Sequence, residues 1–332
     1  MTMTRRKILA ATAGAAALGL PGVARAQTVN WDMPTPYTDG TFHTENIRWY
    51  LEQVAKTISH GINVTVHSNN TLIRGPEILR AVSSGQVPVG EILLSQFGNE
   101  DPILELDAIP FLTQGQDQVR VLAEVSRTAV EAFLQKRNIR ILYTVPWPSQ
   151  AFFSKTPINS AADMKGMKFR TGSPMTSRMA ELLGAVPTTV QGSDIPQAFA
   201  TNIVTGMVTS GATGVQSKAW EFVTHFIDLK AFMPKNAIIV NERAWSALPD
   251  NFKAAFLDHA GPAAARGWKL SAEAETASVE ELRRHGMQVS SPTDALLQDA
   301  KAVGATLTEE WLKRNRQAGG RIIEAYRAGI KA

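Results

Sequence analysis

The sequence predicts an α/β fold of two lobes joined by a long helix, and three observations carry that prediction. Apolar residues alternate between strand-like and helical spacing in the order βαβαβ, which implies parallel strands with crossover helices covering both sheet faces. The run Pro146-Trp147-Pro148 stiffens the chain, after which the same alternation starts again, as a second lobe would require. Pro249 then introduces an Ala-rich helical stretch reaching about Gly286, with an interruption expected near Gly261-Pro262, long enough to act as a strut between lobes.

The individual elements follow from local patterns. Val29 to Met33 is strand-like, Ile47, Tyr50, Leu51, Val54 and Ile58 share a helix face, and Ile62, Val64 and Val66 alternate as a strand. Pro76 and Gly85 bracket a helix over Glu77 to Ser84, and Val87 to Leu94 is the next strand. Val119, Leu122, Val125, Ala129 and Phe133 mark a longer helix running into a strand at Ile139 to Val145. Beyond the prolines, Ser160 caps a short helix, Met167 to Thr171 is a strand, and Pro174 opens a helix that stops at Gly184. Strands at Val186 to Val190 and Met207 to Ser210 flank a helix from Asp194 to about Val204, and Asn236 to Asn241 reads as one more strand. A last strand, Met287 to Ser290, and an amphipathic helix close the chain. The lobes are expected to comprise 27–147 with about 236–275, and 148–235 with about 276–332.

The first 26 residues carry Arg5, Arg6 and Lys7 before an Ala/Gly-rich apolar run and then Ala24-Arg25-Ala26, the pattern of a cleaved signal peptide. A membrane anchor is the other reading, but the run is short and weakly apolar for a spanning helix. The segment Thr4-Arg5-Arg6-Lys7-Ile8-Leu9 also resembles a twin-arginine export signal, although ordinary leaders carry Arg pairs too. Removing the four basic residues of this leader from the total of 34 leaves 30 against 30 acidic, so the mature chain is formally neutral. The basic balance of the full chain is therefore no argument for a nucleic-acid partner.

No cysteine is present, which excludes disulfides, thiolate metal sites and cysteine nucleophiles. The six histidines are scattered and form no H-E-x-x-H pattern, and no phosphate loop, nucleophile elbow or dinucleotide fingerprint occurs. These absences favour binding over catalysis, with no metal and no cofactor expected, although a catalytic triad assembled in space would leave no such signature.

The segment Ser160 to Pro187, SAADMKGMKFRTGSPMTSRMAELLGAVP, resembles the solute-binding subunits of tripartite ATP-independent periplasmic (TRAP) transporters, the DctP-type family. Arg74-Gly75-Pro76-Glu77, Val82-Ser83-Ser84-Gly85-Gln86, Asp107-Ala108-Ile109-Pro110-Phe111-Leu112 and Ala247-Leu248-Pro249 extend the likeness over nearly all of the mature chain. The resemblance implies the two-lobed periplasmic binding protein fold, with a ligand cleft between lobes and a long bridging helix. It also implies a periplasmic, monomeric receptor that hands a small organic acid to membrane subunits.

In that family a strand Arg pairs with the ligand carboxylate, and Arg170 stands at its position. A guanidinium fork matches both carboxylate oxygens, which Lys cannot do equivalently. Taken without the resemblance, pairing of Arg170 with an Asp or Glu of the fold is the readier reading. Two departures follow: Gln150 replaces a second Arg of many members, and Thr209, beside Val208, stands where many have Asn. The pocket is therefore expected to be less polar than a dicarboxylate site and to take a monocarboxylate with an apolar or aromatic body. Trp147, Phe152, Phe153 and Trp220 are candidates to cover that body, or ordinary core, and Arg74 and His43 could bring charge from the first lobe. The competing readings are a two-lobed periplasmic hydrolase and a sensory or scaffold protein.

Overall fold

The computed structural model describes residues 28–58 and 61–331, so the proposed leader lies outside the described residues. The chain opens with β1 (Val29–Pro34), α1 (Phe42–Ile58), β2 (Ile62–His67), α2 (Gly75–Ser84) and β3 (Val89–Leu93). A 3₁₀ segment (Pro102–Ala108), α3 (Gly115–Gln135) and β4 (Ile139–Pro146) complete the first passage. After the prolines come β5 (Gln150–Ser154), β6 (Lys168–Thr171), α4 (Pro174–Leu182), β7 (Val186–Thr189), α5 (Ile195–Ala200), β8 (Gly206–Ser210), α6 (Gly211–Gln216) and β9 (His225–Ile227). The chain then continues through β10 (Lys235–Asn241), α7 (Glu242–Ser246), α8 (Asp250–Arg284), β11 (Gln288–Ser290), α9 (Asp294–Arg314) and α10 (Gly319–Gly329).

Local chemistry explains several boundaries. Gly85 ends α2 in the left-handed conformation that glycine adopts without a steric penalty. Ser173 caps α4 by accepting from the Thr176 amide, with Pro174 at the first helical position. The helix expected from Asp194 to Val204 stops at Ala200, because Asn202 turns to positive φ and redirects the chain into β8.

The sheets are mixed rather than wholly parallel. β1 and β2 pair in parallel, whereas β10 lies antiparallel between β3 and β4. These make one two-stranded and one three-stranded sheet; the six-stranded second-lobe sheet runs β11-β9-β5-β8-β6-β7, and only β5 opposes its neighbours. Both exceptions, β5 and β10, are entered directly from the other sheet, at 147–149 and 228–234. A strand that arrives across the cleft has no crossover helix to turn it round, so it runs against the strands beside it.

α8 is one unbroken helix of 35 residues, in contrast to the interruption expected near Gly261-Pro262. Both residues face solvent, so the carbonyl that Pro262 deprives of a donor can be hydrated, and the proline ring meets no packed neighbour. The first half of α8 buries Phe252, Ala255 and Phe256 against Trp31, Ile47 and Tyr50. Near its end Leu282 joins Phe153, Phe226 and Met287 below the other sheet, so the helix bridges the lobes. Gly267 permits its close seat on β4, since a Cβ there would lie 2.4 Å from Val145 Cγ2.

The C-terminal region differs from the expected single helix belonging to the second lobe. It forms two helices, and α10 docks on α3 of the first lobe, where the Tyr326 hydroxyl donates to the Leu112 carbonyl at 2.9 Å. α9 packs its buried Trp311 into the largest core cluster, with the indole N–H donating to the Pro102 carbonyl at 2.6 Å.

Candidate functional site

Between the two lobes lies a cavity of about 280 Å³ lined from both sides. Tyr37, Ser95, Gln96 and Trp147 line the first-lobe side, and Gln150, Arg170, Val208, Thr209 and Gln191 line the other. Arg170 is the one charged side chain lining it among the described residues.

The guanidinium of Arg170 is held by two backbone carbonyls, Nε donating to Val190 O at 2.9 Å and Nη1 to Val208 O at 3.2 Å. Nη2 has no hydrogen-bond acceptor among the described residues, and Gly172 leaves it room, since a Cβ there would stand 3.4 Å away. Among the described residues no carboxylate pairs with Arg170, so the fold itself supplies no counter-ion. Burial pushes its pKa down to about 10, opposed by the nearby Tyr37 hydroxyl. At neutral pH the group keeps its charge and remains short of an anion, an arrangement suited to receiving a carboxylate.

Five residues singled out from the sequence therefore meet at one cavity: Arg170, Gln150, Thr209, Val208 and Trp147. Gln150 donates from Nε2 to Pro148 O at 2.9 Å, and Trp147 donates from Nε1 to Asn236 Oδ1 at 2.9 Å. The other five do not line it. Phe152 and Phe153 are fully buried in a central strand covered on both faces, one edge-on to Phe169 and the other to Phe226. Trp220 stacks on His285 at 3.7 Å beside the second-lobe core. Arg74 turns outward to Asp194 at 2.9 Å. His43 lies beneath Trp147, with ring centroids 4.3 Å apart.

Sequence reasoning missed Tyr37 and Gln191, which reach the cleft from loops after β1 and β7, and the Ser95-Gln96 pair, which reaches it from a short 3₁₀ turn (Leu94–Phe97) after β3. Their one legible signal was position just beyond a strand end, where α/β ligand sites gather. These side chains also make the lining more polar than the sequence led one to expect. Four polar contacts cross the mouth of the cleft: Arg74 to Asp194, Asn70 to Ser193, Gln96 to Gln191 and Gln216 to Thr38. They hold the lobes in a closed arrangement.

A buried polar cluster backs the first-lobe wall. Glu91 on β3 accepts from Asn236 Nδ2 at 2.7 Å and from the Thr35 hydroxyl, and burial lifts its pKa to about 7. Burial drives His43 the other way, down to about 3, so it stays neutral 3.6 Å from Glu91. Because unfolded His takes a proton at about 6.5 and the folded one does not, His43 stability is lost as pH falls from about 6.5 towards 3, by on the order of a few kcal/mol. Glu91 acts oppositely, lowering stability as pH rises from its unfolded value of 4.5 towards 7. His43→Gln is expected to flatten the acid limb of a melting-temperature profile relative to wild type. Parallel acid limbs in the two proteins would contradict this.

The chain matches the family described as bacterial extracellular solute-binding protein, family 7, over residues 38–315. It is 38% identical to DctP7, a Bordetella pertussis extracytoplasmic solute receptor binding pyroglutamic acid, with a TM-score of 0.89 over 90% of this chain and 100% of that one. A marine metagenome TRAP solute-binding protein specific for pyroglutamate is 33% identical, with a TM-score of 0.89 over 91% and 99% of the two chains. A solute-binding protein of Sulfitobacter sp. is 22% identical over 57% of each chain.

Proposed function

The chain belongs to family 7 of the bacterial extracellular solute-binding proteins, the solute-binding subunits of TRAP transporters, and from that premise we propose that it captures a small cyclic monocarboxylate of the pyroglutamate type. The family is one of transport receptors and not of enzymes, which sets aside the hydrolase reading. The observation that carries the proposal is the buried Arg170 guanidinium, the lone charge lining the cavity among the described residues. One positive charge balances one carboxylate. A second carboxylate would enter a closed, low-dielectric space without a counter-ion, at a cost of several kcal/mol.

The rest of the lining favours a compact ligand with polar edges over one with an apolar or aromatic body. Gln150, Gln191, Thr209 and Ser95 offer donors and acceptors, while Trp147 and Val208 supply apolar faces. Two relatives at 33% and 38% identity bind pyroglutamate, a five-membered lactam with one carboxylate, and this combination suits it. Delivery to TRAP membrane subunits outside the cytoplasmic membrane, after removal of residues 1–26, and action as a monomer belong to the same proposal.

A competition titration of pyroglutamate against succinate, malate and phenylacetate tests it. Pyroglutamate at 100 times its dissociation constant is expected to add about 2.7 kcal/mol of stability, with the dicarboxylates binding at least tenfold more weakly. Dicarboxylates that outcompete pyroglutamate would refute the ligand class.

A further inference from the structure

Glu91 does not line this cavity, yet it is joined through Asn236 to Tyr37 and Trp147, two aromatic residues of the first-lobe wall. Indole nitrogen can only donate, so the Trp147 Nε1 contact at 2.9 Å requires Asn236 to present Oδ1 there. The same oxygen accepts from the Tyr37 hydroxyl at 3.2 Å, and Asn236 Nδ2 must then face Glu91. With its proton committed to Asn236, the Tyr37 oxygen offers only lone pairs to the cleft. At Tyr37 the wall opposite Arg170 thus presents an acceptor backed by a carboxyl group.

We propose that Glu91 is a specificity-determining positioning residue: linked through Asn236 to Tyr37, it backs the acceptor-only phenol oxygen of the wall opposite Arg170 with its negative charge, favouring a ligand whose far end donates a hydrogen bond and turning away one whose far end is a second carboxylate. The inference rests on the monocarboxylate reading and deepens it. Arg170 and Glu91 divide the task, since the first holds the ligand's charge and the second sets what its opposite end can be. The groups around Glu91 do not cancel its charge. His43 on α1 is neutral, Tyr143 on β4 is kept protonated by burial, and Lys235 on β10 turns away to Asp107 at 2.8 Å. On the cleft side stand the Tyr37 phenol, itself held protonated by burial and by Glu91, and Arg170 beyond it.

Glu91→Gln preserves the geometry, because the amide oxygen can accept from Asn236 and its NH₂ can donate to Thr35, while the charge is removed. The readout is the ratio of glutarate to pyroglutamate dissociation constants by calorimetry. In wild type this ratio is expected to rise about fivefold between about pH 6 and about pH 8.5 as Glu91 ionises, both ligands being ionised throughout. In Glu91→Gln it is expected to be about fivefold lower than wild type at the upper pH and flat across the range. A role confined to packing would lower both affinities together and leave the ratio and its pH profile in place. Should the variant fail to fold, the wild-type profile decides alone: a flat ratio overturns the inference. Wild type that binds glutarate as tightly as pyroglutamate at every pH overturns the monocarboxylate reading, and the inference with it. A preference for pyroglutamate that is insensitive to pH and to Glu91→Gln overturns the inference only.

Discussion

Arg170→Gln is expected to abolish capture of the acid while leaving the unliganded protein folded. The ligand loses a charge-assisted pair in a closed cleft, a loss of about 3 kcal/mol or more, equivalent to at least about 100-fold in affinity. The unliganded fold should not suffer in proportion. Arg170 is a buried charge without a carboxylate partner among the described residues, so exchanging it for an amide removes a desolvation penalty. The Val190 and Val208 carbonyls remain within reach of an amide donor or water, since both line the cavity. Arg170→Lys keeps the charge but not the fork, and should fall between the two. Thermal shift with and without pyroglutamate separates the effects, and binding in Arg170→Gln within tenfold of wild type would remove Arg170 from the site.

Trp311→Ala is expected to cost about 3 to 5 kcal/mol of global stability, the largest effect of any substitution considered. Trp311 is among the largest fully buried side chains, and its N–H is the partner of the Pro102 carbonyl. Truncation leaves both a cavity and an unsatisfied acceptor. Because α9 also packs on α4, the damage falls on both lobes, and chemical denaturation should show one earlier transition. A change below about 1 kcal/mol would mean that α9 is peripheral to the core.

The alternation of strands and helices was legible because each crossover helix carries one apolar stripe and ends on a recognisable residue, as α2 does at Pro76 and Gly85. The antiparallel placement of β5 and β10 was not, since strand direction depends on where the chain arrives from and not on composition. α8 shows the converse: Gly261-Pro262 reads as a break, yet a proline on a solvent-facing turn leaves a carbonyl that water can satisfy. At the site, Arg170 was found by resemblance. Gln150, Thr209 and Val208 followed from it as departures from the family pattern, and Trp147, in the crossing at 147–149, from its closeness in sequence to them. Phe152 and Phe153 could not be sorted from pocket residues, because β5 lies mid-sheet with both faces covered and every position along it is buried. Tyr37 and Gln191 escaped because loop residues carry no periodicity.

The exchange of β5 and β10 between sheets also dictates the order in which the protein can be assembled. When synthesis has passed β4, the first sheet still lacks its central strand, which arrives about a hundred residues later and must insert between β3 and β4. The second sheet likewise waits for β11 to reach β9. Neither half can settle independently as the chain emerges, and each must close a long loop before its ladder is complete, which makes folding slow for the chain's size. A nascent chain therefore stays pliant until nearly all of it is available. Cutting the gene at the Pro146-Trp147-Pro148 crossing would leave the first fragment without its central strand β10, which the second fragment would carry unpaired.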